Sequence, residues 1–178
     1  MYNRQIQAGA EALLLPIVLV REIVEVGLAG RGDGRARRAA LLAAAGMEPV
    51  TVDPVGRLPP VSVLFIAGLD SEVAMALAGR ARAAGILVNV EDFPELCDFH
   101  VPAIVRRGEL LLTASTGGRA PGLARRLREW LEDRFGPEWN ARVESVGEAR
   151  SAWHADGLAP GDVAERTLAM VSEKGWLQ

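Results

Sequence analysis

The chain has 178 residues, 49% of them hydrophobic and 24% charged, with a formal net charge of −3. That is enough apolar material for one full core and a small second unit, and it excludes a disordered chain. The 20 basic residues against 23 acidic ones exclude a strong electrostatic case for nucleic acid, and one cysteine excludes an internal disulfide or a cysteine-rich metal site.

The apolar run from Ala12 to Val20 is about nine residues long and broken by Pro16, too short to cross a bilayer. Nothing resembling a signal peptide precedes it, so a cytoplasmic protein without membrane association is expected. Val24–Ala29 is a short apolar run ending at glycines, and Arg35–Ala45 is rich in Ala, Leu and Arg with a helical pattern closed by Gly46, which reads as strand, turn, helix. Val50–Val52 reads as a second strand, Val61–Ala67 as a third, Glu72–Ala84 as a helix closed by Gly85, and Ile86–Val90 as another strand. Strands alternating with helices predict a parallel sheet covered on both faces, which Ala103–Val105 and Leu110–Ala114 would complete as a strand pair. Beyond Gly117 the pattern is helical. Leu123, Leu127, Trp130 and Leu131 recur along one stripe, and two more helical patterns follow around Ala141–Ala155 and Gly161–Lys174.

Gly30, Gly32 and Gly34 follow the first strand and open the first helix, the context that a dinucleotide-binding loop requires. Asp53 ends the second strand about twenty residues on, where a carboxylate accepts hydrogen bonds from an adenosine ribose and disfavours a 2′-phosphate. The bland alternative is a tight turn carrying surface arginines. Between Val52 and Val61 too few residues remain for a strand and helix. In a doubly wound order the third strand lies across the first from the second, a path of about 20 Å that a proline-stiffened connector can span.

Two segments carry the sharpest chemistry. NVEDFPELCDFHVPA, Asn89 to Ala103, is followed about ten residues later by TASTGGRAP, Thr113 to Pro121. Glycines and hydroxyls opening a helix suit an anionic ligand. Asp92 and Asp98 read equally as turn-capping residues, Cys97 as a buried small hydrophobe, and Ser115 with Thr116 as ordinary helix caps. His100 lies near the carboxylates, but a lone histidine more often bonds a backbone group, and His100 with His154 are too few for a histidine cage, so no protein-held metal is expected. Arginine clusters at Arg31–Arg38, Arg80–Arg82 and Arg125–Arg128 would suit a polycarboxylate.

These segments resemble the precorrin-2 dehydrogenase family, NAD-linked enzymes of sirohaem synthesis that sometimes also act as sirohydrochlorin ferrochelatases. Asn89, Asp92, Pro94, Cys97, Asp98, Phe99, Pro102 and Ala103 stand where the family motif has them. The resemblance runs without a gap from Pro16 to Pro54, but the family's triple glycine falls on Gly30, Arg31 and Gly32, and its close-packing small residue on Arg35. The family's Thr-Asp pair and a nearby Asn fall on Gly68, Leu69 and Ala74. The resemblance implies an α/β fold, a Rossmann-like parallel sheet with a reduced edge followed by a helical dimerisation and C-terminal region. The expected divisions are 1–112 for dinucleotide binding, 113–136 for a substrate loop and dimerisation helix, and 137–178 for C-terminal helices. It implies oxidation of precorrin-2 to sirohydrochlorin with Asp92 as the essential carboxylate. NAD is expected at Gly30, Gly32, Asp33, Gly34, Asp53 and Pro54, with Asp53 taken from the general rule. The tetrapyrrole is expected at Asn89, Ser115, Thr116, Gly117 and Gly118. It also implies a homodimer joined through the Trp130 helix. The alternatives are a tetrapyrrole carrier or partner subunit without dehydrogenase activity, or a nucleotide-sensing module.

Overall fold

The computed structural model describes residues 14–177, so Ala12 and Leu13, where the early apolar run begins, lie outside the described residues. Val26, Leu28 and Ala29 are buried because the strand that carries them, β1 (Val26–Gly30), sits inside the sheet and is covered on both faces. From it the chain runs through α1 (Gly32–Ala44), β2 (Val50–Thr51), β3 (Val63–Ala67), α2 (Ser71–Ala83) and β4 (Leu87–Val90). These strands form one parallel sheet of order β2-β1-β3-β4. The second and third strands thus flank the first, the doubly wound order whose path the short connector can span.

The two faces have separate cores. On one, Ala74, Leu77, Ala78 and Ala81 of α2 pack on Leu64, Ile66, Val88 and Val90. On the other, Leu42 of α1 packs with Val26, Leu28, Val63 and Phe65. Adjacent strand residues divide between the two cores because strand side chains alternate. Both helices stop just before a glycine, Gly46 and Gly85, as the sequence predicts. The connector from Val52 to Val61 takes the α2 face, where Leu58 packs on that core and Arg80 donates to the carbonyls of Pro54 and Gly56.

The chain divides after Val101 into two compact units. The second holds β5 (Ala103–Arg107), β6 (Leu110–Ala114), α3 (Pro121–Arg134), α4 (Trp139–Ala155) and α5 (Pro160–Glu173). Here one expectation is corrected. β5 and β6 do not complete the parallel sheet; they pair with each other, antiparallel, as a separate two-stranded sheet. The reason is the connection. Only Gly108 and Glu109 separate them, Gly108 has φ +57°, and a two-residue loop of this kind returns the chain antiparallel. The C-terminal helices are tied by aromatic contacts, Trp139 against Phe135 and Trp176, with Arg142 over both tryptophan rings.

Leu77 is fully buried between α2 and the sheet. Leu77→Ala is expected to lower unfolding stability by about 3 kcal/mol, measured from denaturant midpoints at unchanged slope.

Candidate functional site

The strand order reverses direction between β1 and β3, and in such sheets the crevice at the carboxyl ends of those two strands takes the ligand. The parallel register places Gly30, Ala67 and the end of β4 at that same edge. Two loops meet there with almost no side-chain material between them. The Arg31 N–H donates to the Ala67 carbonyl at 3.2 Å. A Cβ at Gly30 would lie 1.9 Å from that carbonyl oxygen, and one at Gly68 would lie 2.2 Å from the Arg31 oxygen. Both positions also have positive φ, +143° and +64°, so glycine is demanded twice over.

Helix α1 starts at Gly32, three residues before the sequence pattern suggested. The family's close-packing small residue falls on Arg35 in the sequence, but Arg35 does not occupy the close approach. The close-packing place belongs to Gly34, which is buried and whose Cβ would lie 3.0 Å from the Gly68 nitrogen. Arg35 points away instead, its Nη2 donating to Thr51 Oγ1 at 3.1 Å. Arg31, in the family's middle-glycine place, swings to an ion pair with Asp70 at 2.7 Å. No side chain caps the α1 N-terminus, and a Cβ at Gly32 would meet nothing within 4 Å. An uncapped helix start facing open space fits a pyrophosphate, whose charge the free N–H groups and the helix dipole favour. Asp33 lies exposed in the first turn. Asp53 accepts from the Val55 N–H at 3.0 Å, a turn that engages part of its carboxylate, and Pro54 follows under the Arg80 guanidinium.

Sequence reasoning missed Glu91. Its side chain is 12% exposed and pairs with Arg37 at 3.3 Å and Arg38 at 3.8 Å. Its carboxylate sits against Gly34, where a Cβ would approach Oε2 to 2.4 Å. No local signal pointed to it, because Glu91 follows the last residue of β4 and its partner Arg37 lies 54 positions away.

At the β4 end, the motif residues divide by role. Asn89 is 4% exposed and donates to the Phe99 carbonyl at 2.9 Å, so it holds the following loop from within. The expectation of direct substrate contact by Asn89 therefore meets a buried side chain. Asp98 accepts from the Val88 N–H and from Arg82 Nε, both at 2.9 Å, and anchors the same loop. Cys97 packs against the α2-side core and its sulfur receives the Val90 N–H at 3.2 Å. Burial pushes its thiol pKa up, an effect the Val90 bond offsets in part. His100 is exposed, and among the described residues no group of three or more His, Cys, Asp and Glu side chains is placed to hold a metal ion.

Asp92 differs from all of these. It is exposed and has φ +66°, the one non-glycine in the left-handed region among the described residues. Asp tolerates that conformation at a cost of about 1–2 kcal/mol for most other residues. Among the described residues no ion pair or hydrogen bond ties its carboxylate, so it stands free at the strand tip.

The anion loop lies in the second unit. Gly117 and Gly118 take φ +61° and +79°, Ser115 Oγ accepts from the Gly117 N–H at 3.2 Å, and Thr116 Oγ1 accepts from the Ala120 N–H at 3.1 Å. Each hydroxyl thus closes the loop as an acceptor and keeps its own proton to donate. Of the arginines that follow, Arg125 and Arg126 pair with Glu129, and Arg128 with Glu132. They form a solvated helix face.

A parallel sheet with a glycine-lined switch point defines this chain as Rossmann-like, and comparison with known proteins narrows the class. Residues 48–103 match a family profile described as "Putative NAD(P)-binding". The siroheme synthase of Methylobacillus flagellatus is 40% identical over 121 residues, 67% of this chain and 24% of that protein. The siroheme synthase of Pseudoalteromonas atlantica is 36% identical over 120 residues, 60% and 26% respectively. The chain therefore spans about a quarter of the length of these curated relatives. Among solved structures, "SirC, precorrin-2 dehydrogenase" superposes with a TM-score of 0.72 at 18% identity, covering 93% of each chain, which shows the shared fold. The resemblance to the precorrin-2 dehydrogenase and siroheme synthase family read from the sequence is borne out.

Because burial disfavours the Cys97 thiolate, its alkylation by iodoacetamide in the folded protein should follow a rate–pH curve displaced to higher pH than in the denatured chain. Coincident curves would remove the burial argument.

Proposed function

We propose that this chain is an NAD-dependent oxidoreductase that converts precorrin-2 to sirohydrochlorin for sirohaem synthesis. The observation that carries this reading is the free Asp92 carboxylate, held by a left-handed turn at the same sheet edge as the uncapped α1 N-terminus. The family profile, the siroheme synthase relatives and the fold shared with a precorrin-2 dehydrogenase support it.

A bound nicotinamide ring supplies the hydride acceptor. Gly30, Gly32 and Gly34 let backbone N–H groups approach the pyrophosphate, and Asp33, Asp53 and Pro54 border the same nucleotide. Asp92 takes up the proton that accompanies hydride loss, a transfer that suits an exposed and unpaired carboxylate. The same group suits removal of pyrrole protons if the product is then loaded with iron as substrate. Ser115 and Thr116 donate to tetrapyrrole carboxylates, helped by the N–H groups of Gly117 and Gly118. Asn89 positions the loop behind Asp92. The reaction belongs to the cytoplasm, where free dinucleotide and tetrapyrrole are available.

Asp92→Asn is the informative variant because Asn also tolerates positive φ, so the turn survives. Turnover of precorrin-2 should fall at least about 100-fold, the lower bound of a general acid–base contribution, while sirohydrochlorin still binds. Unchanged turnover would remove Asp92 from the chemistry, and absence of saturable dinucleotide binding would remove the enzyme reading and leave the tetrapyrrole carrier.

The chain functions as a homodimer through α3. Leu123, Leu127 and Trp130 are 55%, 39% and 56% exposed on its apolar stripe, and no residue of this helix is buried. Light scattering should give twice the 19.0 kDa chain mass, and Leu127→Glu with Trp130→Glu should give the monomer.

A further inference from the structure

Asp92 holds a left-handed backbone conformation that costs energy, and such strain persists only where the surroundings fix it. The Phe93 N–H returns to the Val90 carbonyl at 3.4 Å, a four-residue turn in which Glu91 and Asp92 are the central pair. Glu91 is the member of that pair with attachments. Its N–H donates to the Ile66 carbonyl at 2.9 Å and prolongs the pairing of β4 with β3 by one residue. Its side chain crosses to α1, where Oε1 and Oε2 accept from Arg37 Nε and Nη2 at 3.4 and 3.3 Å, and Oε1 lies 3.8 Å from Arg38 Nε. At 12% exposure this carboxylate is shielded from much of the water and salt that weaken a surface ion pair.

The far end of the same loop is held to the same helix. The Arg38 guanidinium lies over the Phe65 ring at 5.9 Å, and Phe65 meets Phe99 edge-on at 5.4 Å. Phe93, Leu96 and Cys97 tie the loop to the α2-side core, so Glu91 and Phe99 are its attachments toward α1. The family resemblance assigns nothing to Glu91, since its matched positions pass from Asn89 to Asp92. We propose that Glu91 is a positioning residue: its grip on Arg37 and Arg38 keeps the turn in the form that aims the Asp92 carboxylate, without itself touching substrate. This rests on Asp92 being the acid–base group of the reading above.

The test is steady-state turnover of precorrin-2 by the intact protein together with amide hydrogen exchange on the same variants. Glu91→Gln keeps the side-chain size and removes the charge. It should lower kcat about tenfold or more, the scale on which misplaced catalytic groups fail, while KM for both substrates moves less than about threefold. In an Asp92→Asn background the same change should cost less than about twofold, because a residue acting through Asp92 has nothing left to position. Without any turnover, exchange of the Phe93 amide should rise about threefold or more while the Leu64 and Phe65 amides keep their protection. Arg37→Ala removes a side chain that is 64% exposed, and it should move kcat and Phe93 exchange in the same direction by a smaller factor. It serves as the test if Glu91→Gln does not fold. Native kcat, a loss that persists in full beside Asp92→Asn, or unchanged Phe93 exchange would overturn the proposal, provided that Asp92→Asn alone is impaired. Full turnover by Asp92→Asn would instead overturn the role of Asp92, and this proposal with it.

Discussion

The whole sheet edge depends on two backbones approaching without side chains between them. The Arg31 amide reaches the Ala67 carbonyl, and the bond exists because Gly30 and Gly68 present no Cβ at distances where one would overlap a carbonyl oxygen. Relieving an overlap of this size means separating β1 from β3, and these two strands share the longest register of the parallel sheet, Val26 to Gly30 against Val63 to Ala67. The same approach brings the start of α1 beside the switch point. Under the proposed dinucleotide reading, a stability requirement and a binding requirement fall on the same residues. Such a coincidence is the usual consequence of building a phosphate cradle from main chain, since only a backbone kept bare can come close to a ligand.

Around that edge the carboxylates are assigned to different tasks by their partners. Glu91 neutralises Arg37 and Arg38 while mostly buried, Asp98 holds Arg82 and the Val88 amide, and Asp70 holds Arg31. Each fixes geometry and is thereby unavailable as a base. Asp92 has neither burial nor partner, and the conformation it occupies tolerates few other residue types well. A neighbouring pair, Glu91 and Asp92, consequently splits into one structural and one free carboxylate, because successive residues leaving a strand face opposite ways. Asn89, two positions before Glu91, is buried on the same side and ties Phe99. Within the motif Asp92 is set apart by its left-handed backbone and its unpaired carboxylate at the strand tip.

Much of this was legible in the sequence, for reasons that can be localised. The four parallel strands are short apolar runs bounded by glycine or proline, and both flanking helices end at glycines, so composition and punctuation agree. The doubly wound order put β3 across β1 from β2, and the connector from Val52 to Val61 is long enough for that path. Two things escaped. The strand pair after Pro102 carries no periodicity that separates an edge of one sheet from a hairpin of its own; the deciding signal was the Gly108-Glu109 loop, whose length and handedness force antiparallel pairing. The start of α1 was placed three residues late because glycines are poor helix formers. Ion pairs such as Arg37 with Glu91, which are 54 positions apart, have no local signature at all.

The second unit poses a different physical problem. Its fully buried apolar side chains, among the described residues, are only Val105 and Val163, while Leu123, Leu127 and Trp130 remain open to solvent on α3. Full burial of such a side chain contributes about 1.5–3 kcal/mol, so covering all three recovers an amount comparable with the roughly 4–15 kcal/mol that association costs. Two copies of the stripe packed on each other bury twice the area for the same loss of rigid-body freedom. The proposed self-association through α3 would cover this stripe with a matching apolar surface. The arginines and glutamates of α3 pair with one another along the helix, so its polar face is satisfied locally and its apolar stripe is the part left without a partner among the described residues.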